Sequence, residues 1–293
     1  MAKKILLTGS SGFLGQHVLD QIGSRDGILL ETFSFRCNES YQNKIEELNN
    51  KLVENNYDYI INAGSSQSTK DDIDNLKELI ISNIFFPSSI LSVIDKSNLK
   101  THFINFGSAW EFDEKGKKMP FNAYAASKSA CESFFKHYAQ KNLKITNIYL
   151  YDTYGPNDKR NKVINLVIDA MIKNEDLNMS SCEQMMDLIY IDDVISSLEF
   201  IISSKFNQKY PDNLNYFELR NDNPITLNEI ISKMKLFFPN YTSRLNKGFY
   251  PYRERERFKL KTNEFKLDTG LNLTDLETGL KKTINSRKND QNL

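Results

Sequence analysis

Residues 4–18 read KILLTGSSGFLGQHV, and the interpretation of this stretch decides the fold. Ile5, Leu6 and Leu7 form a short apolar run that reads as a buried strand. The run stops at Thr8-Gly9, glycines recur at 12 and 15, and an apolar helix begins near Phe13. A strand, a tight glycine turn and a helix N-terminus together make an anion site. Glycine lets backbone approach a phosphate, and the amides of the first helical turn point at it. The spacing G-x-x-G-x-x-G is a variant of the G-x-G-x-x-G dinucleotide fingerprint. Any tight strand-to-helix turn can use two glycines, so the stretch gains meaning only if chemistry appears downstream.

The sequence that follows keeps the same alternation. A helix is expected over 13–22, broken at Ser24-Arg25-Asp26-Gly27, and a second strand over Ile28 to Phe35 ends in Ser34-Phe35-Arg36. The tip of a second strand reads the adenosine ribose in such folds. An acid there bonds a free 2′-hydroxyl, whereas an arginine pairs with a 2′-phosphate. Arg36, with Ser34 beside it, favours NADP(H), with NAD(H) as the alternative; a solvated loop charge is the plainer explanation. Ile45, Leu48 and Leu52 recur at helical spacing. The strand YDYIIN (57–62) follows, and Ala63-Gly64 then offers small residues against which a cofactor can lie. A helix from Asp74 to Asp95 contains Pro87, which should bend or split it. The strand HFINF (102–106) runs into Gly107-Ser108. Strands alternating with helices predict an α/β fold with a doubly wound parallel sheet, its ligands beyond the carboxyl ends of the strands near Gly9, Gly64 and Ser108.

Bulk properties set limits. A chain of 293 residues can bury a sizeable core. Lys plus Arg and Asp plus Glu both number 38, which argues against nucleic-acid or membrane-surface binding through global charge. No run of apolar residues approaches a membrane span, and no basic segment with an apolar signal core precedes Ile5. Cys37, Cys131 and Cys182 are scattered, which suits a reducing cytoplasm. The three histidines are isolated, so no metal site is expected.

The chemistry lies in NAYAASK, where a helix over 122–140 begins. Tyr124 and Lys128 are four apart and share a helical face. A phenol titrating near pH ~10 is a poor proton carrier at neutrality, and a neighbouring ammonium is expected to lower its pKa. Ser108 can hydrogen-bond the same substrate oxygen, and Lys128 can hold a nicotinamide ribose hydroxyl. A Y-x-x-x-K pair alone is common on exposed helices; after a glycine-turn strand and a strand ending in serine it carries weight.

At this point the chain resembles the extended short-chain dehydrogenase/reductases. The matching residues are Thr8-Gly9-x-x-Gly12-Phe13-Leu14-Gly15, Asn62-Ala63-Gly64, Asn83, Ser108 and Tyr124-x-x-x-Lys128. The resemblance implies Ser108, Tyr124 and Lys128 as the catalytic trio, with Asn83 assisting the lysine. It implies cofactor contacts from Gly9, Ser11, Gly12, Phe13, Leu14, Gly15, Ser34, Arg36, Ala63, Gly64, Tyr124 and Lys128. The usual strand with an acid-and-apolar adenine contact is not evident between Arg36 and Ile60.

The second half narrows the resemblance to nucleotide-sugar enzymes. Tyr154-Gly155-Pro156 looks like their sugar-side loop, Asp187-Leu188-Ile189-Tyr190-Ile191-Asp192-Asp193-Val194 like their R-D-F-I-Y-V-D-D-V segment with Met186 replacing the arginine, and Arg253-Glu254-Arg255-Glu256 like the arginine segment beside a diphosphate. FINFGSAWEF and NAYAASKSACESFFKHYA are most similar to the branch containing CDP-abequose and CDP-paratose synthases. That branch implies NADPH-dependent reduction of the C4 ketone of a CDP-4-dehydro-6-deoxyhexose, in O-antigen or polysaccharide sugar biosynthesis. Asp152, Lys159, Arg160, Lys162 and Arg253, besides Ser108, are the candidate substrate contacts. A dehydratase would carry an Asp-Glu pair directly after the serine, where Ala109-Trp110 stands. A 4-epimerase would use the same trio, and a non-catalytic cofactor-binding module typically loses the Tyr or Lys. The expected organisation is a dinucleotide-binding domain over 1–160 and a substrate domain over 161–293, with about 188–206 returning to the first. A homodimer through the helices at 74–95 and 122–140 is expected from the family, and the polar tail from Ser286 is expected to be disordered.

Overall fold

The structure, a computed structural model, describes residues 2–35, 40–70, 72–254, 256–260 and 266–291. Six parallel strands form the main sheet: β1 (Lys3–Thr8), β2 (Ile28–Phe33), β3 (Tyr59–Asn62), β4 (His102–Ser108), β5 (Ile145–Leu150) and β6 (Leu214–Leu219). Their order is β6-β5-β4-β3-β1-β2, as a doubly wound sheet requires. Side chains alternate across it. Ile5 and Leu7 join Ile61, Ile104 and Ile148 on one face, whereas Leu6 joins Ile60, Phe103 and Ile145 on the other.

Helices cover both faces. On the first face lie α1 (13–22) and α6 (Ile191–Ile201), which contact each other and supply Val18, Val194 and Leu198 to the core. The other face is covered by α2 (Tyr41–Asn55), α3 (Ile73–Lys96) and α4 (Ala123–Ala139), through Leu48, Leu52, Phe86, Ile90 and Phe135. By length and composition α3 could cross a membrane, yet half of its apolar window is buried inside the fold. Pro87 is accommodated as expected. A π turn over Ile81–Phe85 precedes it, and the helix restarts at Phe86 with the proline in its first turn, where no amide is needed.

A polar ladder crosses the sheet beneath the strand ends. Thr8 Oγ1 donates to Asn62 at 2.6 Å, Asn62 to Asn105 at 2.8 Å, and Asn105 to Asn147 at 2.8 Å. These residues are direct register partners on β1, β3, β4 and β5. A one-residue slip of any strand would leave buried amides unpaired, so the ladder fixes the height at which the strands end.

The later chain does not stay apart from this sheet. Besides α6, which packs on α1, β6 at Leu214–Leu219 pairs with β5 along its whole length. The remainder builds three short strand pairs: Asp152–Tyr154 with Leu188–Tyr190, Met185–Met186 with Ile225–Thr226, and Leu177–Asn178 with Leu245–Asn246. Between and around them lie α5 (Val163–Lys173) and α7 (Leu227–Lys235). The polar tail departs from expectation. It is helical, as α8 (Leu276–Gln291), and the Arg287 guanidinium is held by Asp169 and by the Asp158 carbonyl. Local polarity suggests disorder, but a distant acid offers a partner that the tail sequence does not reveal.

Candidate active site

The glycine turn owes its shape to two close approaches. Gly9 has φ +74°, and a Cβ there would come within 2.3 Å of the Gly64 amide nitrogen. A Cβ on Gly15 would meet the Gly9 carbonyl at 2.0 Å. The turn therefore packs backbone on backbone against the end of β3 and the start of α1. It floors a cleft of about 1330 Å³, lined by Gly9, Ser11, Gly12, Phe13, Leu14, Ala63 and Gly64 at one end and by Ser108, Tyr124 and Lys128 further along. Gly15 sits behind the turn and acts by packing. The volume suits a dinucleotide with a second ligand.

Ser108 closes β4. Its hydroxyl accepts the Trp110 amide at 3.2 Å, and the Glu111 carboxylate accepts the Ser108 amide at 2.8 Å. This capping box closes the single turn Ala109–Glu111 and holds Ser108 at the cleft. Tyr124 lies in the first turn of α4, which Asn122 caps by accepting the Ala125 amide at 2.9 Å. Ser65 and Ser108 line the cleft with the Tyr124 phenol and act to lower its pKa. Lys128, buried one turn on, donates to the Phe106 carbonyl at 3.0 Å. Asn83 sits in the π turn of α3. It accepts from the Ser65 hydroxyl and the Ser66 amide, each at 3.1 Å, and donates to Ser127 Oγ at 2.9 Å. It thus ties the loop after β3 to the helix that carries Tyr124 and Lys128.

The electrostatics correct one expectation. Burial pushes the Tyr124 phenol up to about 12, and the Glu111 charge adds to this; hydrogen bonds from the two serines and the Arg160 charge act the other way. The sequence argument expected the Lys128 ammonium to make the phenol more acidic. Desolvation of a phenolate outweighs that pairing, and the ammonium is turned to a carbonyl. Lys128 is itself pushed down to about 8 by burial, against the pull of Glu111. The protein alone therefore holds a neutral phenol at neutral pH, which is the form that donates a proton.

The remaining candidates divide. Asp152 and Lys162 line the cleft. The Lys162 ammonium has no hydrogen-bond or ion-pair partner among the described residues, and burial with the nearby Arg160 pushes it down to about 8. Arg160 also lines the cleft, with its guanidinium 4.3 Å from the centre of the Phe13 ring, but it is clamped by Asp158 at 2.6 and 2.8 Å and by the Thr153 carbonyl at 2.9 Å. Arg253 reaches the cleft over Trp110, 5.3 Å from the ring centre, and pairs with Glu256 at 3.3 Å. Lys159 is exposed and outside the cleft lining, because the fork of Arg160 takes the inward place beside it. Ser34 is likewise exposed and outside the lining; Phe35 faces the cleft instead, stacked 4.4 Å from Phe86. Arg36 and Arg255 lie outside the described residues. Sequence reasoning missed Phe35 and Trp110; Ser65 belongs to the run of small residues, Ala63 to Ser66, that follows β3.

The chain is similar to known proteins along most of its length. The NAD dependent epimerase/dehydratase family matches residues 5–215. The CDP-abequose synthase of Yersinia pseudotuberculosis is 32% identical over 214 residues, covering 70% of this chain and 75% of that protein. The CDP-abequose synthase of Salmonella muenchen is 28% identical over 298 residues, covering 98% of each chain. Among solved structures, the UDP-glucose 4-epimerase of Thermotoga maritima with UDP-glucose has the same fold, with a TM-score of 0.82 at 20% identity over 98% of this chain and 99% of that one. The chain belongs to the NAD dependent epimerase/dehydratase family, within the extended short-chain dehydrogenase/reductases, and is an NAD(P)-dependent oxidoreductase that modifies nucleotide sugars.

Proposed function

We propose that this enzyme reduces the C4 ketone of a nucleotide-linked 4-keto-6-deoxyhexose with NADPH, the sugar being carried on CDP. The observation that carries this reading is a neutral Tyr124 phenol that shares one cleft with Ser108 and with the ammonium of Lys162, which has no partner among the described residues. The bound nicotinamide supplies a hydride. Ser108 holds the ketone oxygen, and Tyr124 gives that oxygen its proton as the carbon is reduced, leaving an alcohol and a phenolate. Lys128 stabilises the phenolate and holds the cofactor ribose. Lys162 and Arg253 hold the substrate diphosphate, with Asp152 and Arg160 shaping the wall beside it. The CDP moiety rests on the two relatives named as CDP-abequose synthases. The preference for NADPH rests on Arg36 in the sequence.

The test is incubation with CDP-4-keto-6-deoxyglucose and NADPH. Stoichiometric loss of nicotinamide absorbance with an alcohol product by NMR supports the reading. A 4-epimerase, the activity named for the Thermotoga maritima neighbour, would interconvert sugars with no net loss. Equal affinity for NADH and NADPH would end the cofactor preference.

Lys162→Met is expected to raise KM for the sugar nucleotide by about 10–100-fold, the worth of one charge-assisted hydrogen bond, with kcat within a few-fold. A substrate KM unchanged by this replacement would remove Lys162 from the diphosphate. Affinity for NADPH in the free enzyme should fall as pH rises through about 8, because Lys128 is cationic below that value and neutral above it. Fluorescence titration of NADPH across pH 6–10 reads this directly.

The enzyme is further proposed to work as a cytoplasmic homodimer. Ile73, Leu76 and Ile80 on α3, with Phe134 on the adjoining α4, are exposed and apolar. Light scattering should give twice the chain mass, and Leu76→Asp with Phe134→Asp should halve it.

A further inference from the structure

Behind Ser108 lies a charged group that the reaction above does not use. Glu111 is 0% exposed, an expensive place for a carboxyl unless it has work to do or partners to hold it. Two partners hold it. The first is the Ser108 amide, which donates to it at 2.8 Å. The second is Lys118, ion-paired to Glu111 at 2.9 Å. Lys118 is brought there by a tight hairpin. Asp113 accepts the Lys115 and Lys117 amides at 2.9 and 2.8 Å, Gly116 turns with φ +75°, and Phe112 bridges Lys118. From α4, Lys118 is also paired by Glu132, one turn beyond Lys128. From β5, Tyr149 donates to Glu132 at 2.7 Å, and Tyr216 of β6 stacks on Tyr149.

We propose that Glu111 is a positioning residue: its carboxylate behind β4, bonded to the Ser108 amide and paired with Lys118, sets the pose of Ser108 and places a negative charge near Tyr124 and Lys128. This rests on the proposed roles of Ser108, Tyr124 and Lys128.

The geometry gives two routes for this influence. One is mechanical: the Ser108 amide, Glu111, Lys118 and Glu132 form a continuous chain from the end of β4 to the helix bearing the other two groups. The other is electrostatic. The Glu111 charge raises the proton affinity of both Tyr124 and Lys128. The groups around Glu111 oppose one another. Lys118 and the Ser108 amide favour its ionised form, whereas burial and Glu132 push its carboxyl up to about 7. Lys128, Cys131, Tyr149 and Tyr216 complete the titratable groups that feel it. Space behind Ser108 is closed: a Cβ on Gly107 would come within 2.8 Å of a Glu111 carboxylate oxygen and 2.7 Å of the Tyr149 ring.

Glu111→Gln keeps the shape and the acceptor for the Ser108 amide while removing the charge. The pH above which NADPH affinity falls should then drop by about one unit, the size of a nearby buried charge, and kcat should fall about tenfold with substrate KM within twofold. Glu111→Asp keeps a charge there and should restore the pH limb toward that of the unchanged protein. A purely structural role would lower the melting temperature without moving the limb. An unmoved limb in a folded Glu111→Gln protein overturns the proposal. If that variant does not fold, Lys118→Met is measured the same way: loss of its cation drives Glu111 to bind a proton, so the limb must again move down, and an unmoved limb again overturns the proposal. Loss of turnover in Tyr124→Phe alongside an unmoved limb in Glu111→Gln would sink this inference and leave the catalytic trio standing.

Discussion

Replacing Tyr124 with phenylalanine is expected to lower kcat for the proposed ketone reduction by about 10²–10⁴-fold, the usual worth of a positioned proton donor. Affinity for NADPH and for the sugar nucleotide should stay within a few-fold, because the ring remains and only a hydroxyl is lost. The phenol lines the cleft with Ser108 and Ser65, and burial keeps it protonated up to about 12. Reduction leaves an alkoxide unless a proton arrives with the hydride. Without the phenol that proton must come from water in a half-closed site. Steady-state kinetics with equilibrium binding separates the two effects. Turnover unchanged in Tyr124→Phe would end the assignment of the chemistry to this site.

Gly9→Ala should be the most damaging single-methyl change in the cofactor end of the cleft. The backbone at Gly9 has φ +74°, which costs an alanine about 1 kcal/mol. The new Cβ would also sit 2.3 Å from the Gly64 nitrogen and 2.4 Å from its Cα, neither of which can rotate away. Together these should destabilise the fold by about 3 kcal/mol or more, lowering the melting temperature by roughly 6–12 °C. NADPH should no longer raise the melting temperature of the variant. Gly27→Ala provides the control. Gly27 has φ +76° but nothing within 4 Å of its added Cβ, so it isolates the backbone cost, and its loss should stay near 1 kcal/mol. Equal losses at the two positions would mean that the close approach to Gly64 carries no weight.

The parts of this enzyme that could be read early are those whose information is local. The glycines at 9, 12 and 15, the Tyr124–Lys128 spacing and the disruption at Pro87 each depend on residues within a turn or two. The proposed site is mixed in this respect. Tyr124, Lys128 and Ser108 could be named from spacing, but the loop contacts of Asn83 and the pairing of Glu111 with Lys118 and Glu132 depend on chain segments that meet only after folding. Lys159 and Lys162 look alike in sequence, yet one is exposed and the other lines the cleft with no partner among the described residues. The clamp of Arg160 on Asp158 and Thr153 separates them. Ser34 and Phe35, just past the end of β2, divide in the same way: the serine is exposed and the phenylalanine lines the cleft.

Alone, the sequence determined the doubly wound sheet and offered a candidate place for a dinucleotide and a candidate trio, because apolar period, turn chemistry and helical spacing are properties of neighbouring residues. Tertiary structure alone decided the proton affinities. Whether Tyr124 is more acidic or less acidic than a free phenol turns on how much water burial removes and on a carboxyl brought behind it by another loop, and neither quantity exists until the chain has closed around the cleft.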